Sequence, residues 1–213
     1  MDLDAMYRRR FNESDGRESV WRVLVHDFFQ QYVRPDDVVL DMPCGHCAFI
    51  NNVVCARKIG VDLNPDAVKY AGPDVEYMTA DSTDTMLDDA SVDTIFISNF
   101  FEHLTRASLL QTIMECHRIL RSGGRVLVLQ PNIRFAYRDY WMFLDHITPI
   151  DDRMLEEAFE LNGFVLRKRI LRFLPYTAES RLPRADFLVR LYLRVPIAWR
   201  ILGKQSFLVF ERD

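Results

Sequence analysis

The stretch of sequence that decides the fold is VVLDMPCGHCAFINNVVCARKIGVDL, residues 38–63. It begins as an apolar strand that we predict to end at Asp41, followed by a tight Pro-Cys-Gly turn at 43–45 and a short helix. A second strand is predicted to end at Asp62. Two strands that end in acids, with a close-approach glycine turn between them, predict a site for a nucleoside that carries a cationic or hydroxylated tail.

Apolar runs and helical patterns alternate along the next part of the chain. We predict strands at 37–42, 58–62, 74–79, 92–98 and 124–130, with helices between them. The clearest helix is 105–121, since Thr105 can cap its start and a Gly-Gly pair follows its end. Another is predicted at 17–33, and a short helix begins at Pro65 with Asn64 as its cap. This alternation predicts right-handed βαβ units and a mostly parallel sheet.

The pattern changes after Pro131. An amphipathic helix is predicted at 151–162, and two final strands are predicted at 164–173 and 206–211. About 30 residues separate these two strands, which is too many for the short loop that commonly joins antiparallel neighbours. This insertion is too apolar for disorder, so we expect it to have a function.

Length and composition predict one α/β domain. The chain has 213 residues, of which 49% are hydrophobic and 27% charged. We divide it into an N-terminal helical cap at 1–34, a core at 35–173, an insertion at 174–204 and a last strand at 205–213. No uncharged run is long enough to span a membrane, and no apolar signal region is present. Four cysteines do not make a secreted disulfide framework, so we expect a cytoplasmic protein.

Charge is distributed unevenly along the chain. The net charge is −4, although residues 167–213 carry 11 Lys and Arg against four acids. The rest of the chain is therefore acidic, which argues against general nucleic-acid binding. In the insertion, Arg190 and Arg194 lie among apolar residues until Pro196 ends or kinks the helix. We interpret this segment as a lid; peripheral membrane contact through 184–204 and a partner surface are the alternatives.

Five ordered motifs resemble those of class I S-adenosylmethionine-dependent methyltransferases. They are VLDMPCG, VDLNPDAV, YMTADS, DTIFISNFFEHL and LRSGGRVLVLQPN. Further runs, LQPNIRFAYRDYWMFLDHITP and LYLRVPIAWRILGKQ, narrow the resemblance to a bacterial subgroup and extend it over essentially the whole chain. The resemblance implies an α/β fold with a Rossmann-like, doubly wound seven-stranded sheet. The sheet is expected to be mostly parallel, with the last strand antiparallel, in a three-layer sandwich.

The resemblance implies S-adenosylmethionine as cofactor. Asp41, Pro43, Cys44 and Gly45 would form the turn beside its methionyl group, although Pro43 stands where the family has its first glycine. The third glycine of the family is replaced as well, by Cys47. Gly45 keeps the middle position, where the backbone most needs freedom to approach the ligand.

The remaining cofactor contacts follow the other strands. Asp62 would accept hydrogen bonds from both ribose hydroxyls, a task suited to two carboxylate oxygens, with Leu63 beside it. Asp81 and Ser82 would meet the adenine. Asn99 would face the methionyl group, with the Glu-His pair at 102–103 on the outer rim.

His103 and His146 are the candidates for catalysis. An imidazole with an ordinary pKa of about 6.5 can remove a proton from an acceptor hydroxyl or amine at neutral pH. His146 follows the fifth strand, with Asp145 as a partner; a buried, bracing role is the alternative. The aromatic residues at 137–141 either line an acceptor pocket or belong to the core. The expected acceptor is a small molecule, sugar or lipid-linked glycan, methylated at oxygen or nitrogen.

Two other classes of function stay open. Cys44-Gly-His-Cys47 is identical to the redox tetrapeptide of protein disulfide isomerases, which favours a dithiol oxidoreductase. Loss of two family glycines favours a catalytically silent binding module that acts through the basic C-terminal region. A nicotinamide site would need the three glycines of G-x-G-x-x-G, and only Gly45 stands at one of these positions. No metal site is expected, because His46 and the cysteines lack a second CxxC motif.

Overall fold

The computed structural model describes residues 15–176 and 186–213. Its strands are β1 (Val38–Asp41), β2 (Arg57–Asp62), β3 (Val75–Thr79), β4 (Val92–Ser98), β5 (Leu120–Pro131), β6 (Phe164–Ile170) and β7 (Gln205–Arg212). Its α-helices are α1 (Asp15–Asp27), α2 (Arg106–Ile119), α3 (Ile133–Ala136), α4 (Asp152–Glu160), α5 (Asp186–Arg194) and α6 (Pro196–Leu202). Short 3-10 helices lie at Phe29–Tyr32, Pro65–Tyr70, Phe101–His103 and Tyr140–Met142. The cap at 1–34 and the insertion at 174–204 lie partly outside the described residues.

The strands of the described ranges form one sheet with the order β3-β2-β1-β4-β5-β7-β6. Pairing is parallel from β3 across to β5, whereas β7 runs antiparallel to both β5 and β6. The predicted fold class is therefore confirmed, including the antiparallel last strand. The strand order reverses between β1 and β4, and ligands bind α/β sheets in the crevice that opens at such a point.

Helices cover both faces of the sheet. Successive residues of the central strands point to opposite faces, so Leu40 and Ile95 join one hydrophobic cluster while Val39 and Phe96 join the other. Buried residues of α2 and α4 belong to the first cluster. Buried residues of α1, of the loop after β1 and of α5 belong to the second. The arrangement is the predicted three-layer sandwich.

Strand bounds agree with the prediction within two residues for β1 to β4, whereas β5 begins four residues earlier than predicted. Leu120, directly after α2, already pairs with Val92 of β4, and a register shift follows in this ladder. The Gly-Gly pair at 123–124 therefore lies inside β5 rather than in a turn after the helix.

Two predicted helices are wrong. Residues after Gly45 form consecutive turns instead of a short helix. Gly45 and Cys47 both have positive φ, at 48° and 54°, which interrupts a right-handed helix. The connection between β3 and β4 also lacks a helix among its described residues, and Met86 and Ala90 have positive φ there. The predicted helix at 17–33 is α-helical as far as Asp27.

The described part of the insertion contains two helices. Pro196 occupies the first turn of α6, so it both ends α5 and starts the next helix. Arg22 of α1 forms a 3.0 Å ion pair with Asp186 of α5. At the base of the insertion, the Leu174 carbonyl accepts hydrogen bonds from the amides of residues 204 and 205 at 2.8 and 2.9 Å. No helix of the described ranges combines the length and apolarity needed to cross a bilayer.

Candidate active site

The turn after β1 is held at the carboxyl edge of the sheet by backbone hydrogen bonds to both neighbouring strands. The Met42 amide donates to the Phe96 carbonyl at 3.0 Å, and the Cys44 amide donates to the Val61 carbonyl at 2.9 Å. The half-buried Pro43 lies between these two attachments. The sheet therefore fixes the position at which the turn presents Gly45.

Asp62 is joined directly to this turn. One of its carboxylate oxygens accepts a hydrogen bond from the Gly45 amide at 2.8 Å, and the other accepts one from the Asn64 amide at 2.9 Å. A carboxylate has about four lone-pair sites, so further acceptor capacity remains for a pair of hydroxyls. Leu63, the next residue, is exposed at the rim. The backbone thus orients the predicted ribose acid.

Asp41 is buried at the end of β1. Its carboxylate accepts a hydrogen bond from the Ile50 amide at 3.3 Å. Burial, followed by the charges of Cys47 and Asp62, raises its pKa well above the usual value, and the Ile50 hydrogen bond opposes this shift. A bound cationic group would restore the charged form, which suits the ammonium of a methionyl tail.

The two cysteines of the turn are reduced and buried. Interaction between the two neighbouring sulfurs raises the pKa of Cys44, with burial adding to the shift, and lowers the pKa of Cys47. Cys47 is fully buried and takes the left-handed conformation expected at the third family glycine. Dithiol exchange needs an accessible thiolate, and this pair is enclosed by the core.

The adenine candidates lie after β3. Asp81 is exposed, and its Oδ1 accepts hydrogen bonds from the amide and hydroxyl of Thr83 at 2.9 and 2.8 Å. Ser82 is buried, with its hydroxyl 2.9 Å from that of Thr112 on α2. Any contact of Ser82 with a ligand would therefore use its backbone, whereas Asp81 also offers its side chain.

Asn99 follows β4 in the left-handed region, with φ of 49°. Its amide donates to the Leu129 carbonyl at 2.8 Å, which fixes the residue against β5. Its side-chain Oδ1 is buried and accepts no hydrogen bond. A strained residue with an unmet polar atom at a sheet edge is typical of a ligand site.

The structure corrects the predicted position of Glu102. We expected the Glu-His pair on the outer rim, but Glu102 is only 1% exposed. Its Oε2 accepts a hydrogen bond from Gln130 at 2.6 Å, whereas its buried Oε1 has no hydrogen-bond partner. Desolvation raises the pKa of Glu102, opposed first by the charge of His103. Glu102 is thus a functional candidate that sequence reasoning missed.

Both catalytic candidates lie beside this carboxylate. The rings of His103 and His146 are 4.9 Å apart, and their Nε2 atoms lie 3.8 and 3.9 Å from Glu102 Oε1. The Asp145 carboxylate, which was expected to partner His146, lies 3.1 Å from Nδ1 of His103. The sequence signal that could have revealed the cluster is the Glu-His pair, which follows the buried strand β4 after three residues.

The loop after β5 supplies His146 and closes over Glu102. The amides of Ile147 and Thr148 both donate to the Glu102 carbonyl, at 2.9 and 3.1 Å. Tyr140 is buried and donates its hydroxyl hydrogen to the Thr148 carbonyl at 2.8 Å. Tyr137 and Trp141 are exposed, so only one of these three aromatic side chains belongs to the core.

Fold and site together define a Rossmann-like domain whose candidate residues lie at the carboxyl ends of strands around the reversal of strand order. A family model described as a methyltransferase domain matches residues 40–128. A probable S-adenosylmethionine-dependent methyltransferase from Mycolicibacterium smegmatis is 33% identical over 133 residues, which cover 59% of this chain and 51% of that protein. Over these matched residues the chain is similar to S-adenosylmethionine-dependent methyltransferases. It spans 35% to 51% of the length of the curated relatives it matches.

Solved structures have the same fold. The crystal structure of a SAM-dependent methyltransferase from Archaeoglobus fulgidus superposes with a TM-score of 0.69 at 20% identity, covering all of both chains. A putative methyltransferase of Haloferax volcanii, solved in complex with the Trm112 methyltransferase activator, gives a TM-score of 0.69 at 20% identity. That match covers 99% of this chain and 95% of the other. At these identities the likeness concerns the fold.

Proposed function

We propose that this protein is an enzyme that transfers the methyl group of S-adenosylmethionine to an acceptor. The observation that carries the proposal is the hydrogen bond between the Gly45 amide and the Asp62 carboxylate, next to the buried Asp41. These groups suit a methionyl tail and a ribose at adjacent strand ends. Similarity to S-adenosylmethionine-dependent methyltransferases supports this choice of cofactor.

The proposed cofactor contacts follow the strand ends. Asp41 faces the methionyl ammonium, and the backbone at 43–45 (Pro43, Cys44 and Gly45) approaches the tail. Asp62 accepts the ribose hydroxyls, with Leu63 at the rim. Asp81 and the backbone of Ser82 serve the adenine, and the unmet Oδ1 of Asn99 faces the methionyl group.

In the proposed reaction the acceptor attacks the sulfonium methyl carbon. The bond from sulfur to that carbon breaks, its electron pair stays on sulfur, and S-adenosylhomocysteine leaves. Alignment of acceptor and methyl supplies much of the rate, because the sulfonium is already a good leaving group. His103 and His146 are proposed as the catalytic residues, one of which takes the proton that the acceptor oxygen or nitrogen loses. A small molecule, sugar or lipid-linked glycan is the proposed acceptor, methylated at oxygen or nitrogen.

The described part of the insertion supports membrane contact at 184–204. Five large apolar side chains are exposed on its helices, at Phe187, Leu191, Ile197, Ile201 and Leu202. Exposed arginines accompany them on both helices, at positions 190, 194 and 200. Apolar side chains mixed with basic ones suit an anionic bilayer surface. We propose a cytoplasmic enzyme that meets such a surface peripherally when its acceptor is lipid-linked.

Calorimetric titration with S-adenosylmethionine and S-adenosylhomocysteine tests the proposed cofactor site. We expect micromolar affinity in the wild type and a loss of at least about tenfold in Asp62→Ala, since two hydrogen bonds to a charged group disappear. The exposed Asp66 provides a matched control, and Asp66→Ala should bind as the wild type does. A folded wild type without affinity for either compound would overturn the proposal and leave the silent binding module.

A further inference from the structure

We propose that Glu102, His103 and His146 bind a divalent transition-metal ion. The proposal rests on the proposed function, because it gives a role to the acceptor side of the same cleft. It also departs from the sequence analysis, which considered metal ligands only among His46 and the cysteines. The new set joins residues from the end of β4 to a loop more than 40 positions later in the chain.

The donor atoms already have nearly the spacing of a ligand set. Glu102 Oε1 lies 3.8 Å from Nε2 of His103 and 3.9 Å from Nε2 of His146, and one ligand atom from each residue fits within a 4.8 Å span. Tetrahedral bonds of about 2.1 Å place ligand atoms roughly 3.4 Å apart. The two contacts of Glu102 would contract by about half an ångström, and the widest separation in the set, within 4.8 Å, by up to about 1.4 Å.

A buried carboxyl oxygen without a hydrogen-bond partner lies at the centre of this set. The two imidazole contacts of Glu102 Oε1 are too long for hydrogen bonds, and that oxygen is buried without another partner. A buried carboxylate oxygen without a partner is costly, and a bound cation removes the cost. The missing hydrogen-bond partner of Glu102 Oε1 distinguishes this cluster from an ordinary pair of histidines.

Neighbouring groups orient the ligands as they do in known metal sites. The Asp145 carboxylate lies 3.1 Å from Nδ1 of His103, which leaves Nε2 facing Glu102. Gln130 donates to Glu102 Oε2 and so directs Oε1 towards the imidazoles. Carboxylates and amides in such supporting positions fix the ring orientation and raise the basicity of a ligand.

The donor chemistry selects the class of metal. Two imidazole nitrogens with one carboxylate suit Zn²⁺, Fe²⁺, Co²⁺ or Mn²⁺ better than Mg²⁺ or Ca²⁺, which prefer oxygen ligands. Three protein ligands leave a coordination position open. The Tyr176 hydroxyl, 3.4 Å from Nε2 of His146, would turn away from that nitrogen when the metal binds.

An acceptor hydroxyl fits the open position. Its oxygen would bind the metal, its O–H bond would break with the proton passing to solvent, and the resulting alkoxide would attack the sulfonium methyl. The sulfur keeps the electron pair of the broken bond, so no oxidant or reductant is required. The histidines then act as metal ligands rather than by taking the proton themselves.

Metal titration of tag-free, chelator-treated protein tests the site. We expect calorimetry with Zn²⁺ and Co²⁺ to show one ion per chain and the Co²⁺ complex to absorb in the visible range. Glu102→Gln, which preserves shape, and His146→Ala should each weaken binding at least about tenfold. His26→Ala removes an exposed histidine of α1 and should leave affinity unchanged.

Three outcomes would overturn the proposal. They are no binding of either ion, equal binding by the folded Glu102→Gln and His146→Ala variants, and cobalt–thiolate bands that place the ion on the cysteines. Cofactor titration of the same metal-free samples separates this proposal from the proposed function. Cofactor binding without metal binding would reject the metal site alone, whereas loss of cofactor binding in the wild type would reject the proposed enzyme.

Discussion

The Gly45 amide donates a hydrogen bond to the Asp62 carboxylate at 2.8 Å, which ties the turn after β1 to the end of β2. The two parts of the predicted nucleoside site therefore hold each other in place before a ligand arrives. Preorganisation of this kind lowers the conformational cost of binding. Changes at either residue should affect affinity more than stability.

Gly45→Ala, with Gly123→Ala as its control, tests whether a change in this turn lowers cofactor affinity more than stability. Gly45 has φ of 48° and Gly123 has φ of 74°, and an added Cβ would meet nothing within 4 Å at either position. Gly45→Ala and its control Gly123→Ala should therefore each lose a similar amount of unfolding free energy, about 1–2 kcal/mol, through backbone strain alone. Only Gly45→Ala should lose S-adenosylmethionine affinity, measured by calorimetry beside urea unfolding. Equal affinity in both variants would contradict a cofactor role for the turn.

Asn99→Gly should separate stability from binding. Glycine relieves the left-handed backbone of Asn99, so we expect the free energy of unfolding to stay unchanged or rise by up to about 1 kcal/mol. Cofactor affinity should fall, because the unmet side-chain oxygen is removed. Ala90→Gly changes a residue with the same φ of 49° outside the cleft and should leave affinity unchanged. A clear loss of stability in Asn99→Gly would instead indicate a structural amide.

Asp41→Asn should change the pH dependence of stability. Burial raises the folded-state pKa of Asp41 above its unfolded value, so its protonated form contributes stability that is complete below about pH 4. That contribution is lost as the pH rises towards the folded-state pKa. Asparagine cannot ionise, so urea unfolding should show a flatter pH profile over this range and a more stable variant above it. Cofactor affinity should fall, since the methionyl ammonium loses its charge partner.

A control for Asp41→Asn is Asp66→Asn, which changes an exposed acid near the same edge of the sheet. Its profile should follow that of the wild type. Parallel profiles for Asp41→Asn and the wild type would show that Asp41 is ionised in the free protein.

The double variant Cys44→Ser, Cys47→Ser addresses the dithiol alternative. Because both thiols are buried and only the backbone of this turn is assigned to the cofactor, we expect cofactor binding to survive. Stability should decline by about 1–3 kcal/mol, since two hydroxyls replace apolar sulfurs in the core. An insulin-reduction assay should show no dithiol activity in the wild type. Measurable reduction that disappears in the double variant would favour the oxidoreductase.

The exposed helices of the insertion predict binding to anionic vesicles. Leu191→Glu with Ile201→Glu removes one exposed apolar side chain from each helix, and co-sedimentation with phosphatidylserine vesicles should weaken at least about tenfold. Met114→Glu changes an exposed apolar residue of α2 and should have no effect. If the wild type, the Leu191→Glu/Ile201→Glu double variant and Met114→Glu sediment equally with the vesicles, this surface is not the membrane contact.

The sheet could be predicted from the sequence because its determinants are local. Each parallel strand carries an apolar run, and the acids at 41 and 62 mark the carboxyl ends of β1 and β2. The turn conformation was harder to predict, since Cys47 takes a positive φ that side chains seldom adopt. The expected helix after Gly45 failed for that reason.

Burial of Glu102 could not be predicted in the same way. An acid after a strand normally indicates a solvated turn, and the adjacent His103 marks a candidate site without showing that Glu102 is buried. Its environment comes from Gln130 and from the loop at 145–148, which are 28 or more positions away. Pairing between such distant segments depends on the completed fold, so the cluster with both histidines becomes visible only in three dimensions.

The closed base of the insertion has an evolutionary consequence. Phe173 and Gln205 are joined by a backbone hydrogen bond of 2.6 Å, so the chain leaves and re-enters the sheet at nearly the same point. The conformational cost of closing a loop grows only slowly with its length. Segments of different size and chemistry could therefore be exchanged between β6 and β7 while the cofactor cleft stays intact. Acceptor preference would then diversify by replacement of one segment, and chimeras joined at these two residues offer a direct route to new specificities.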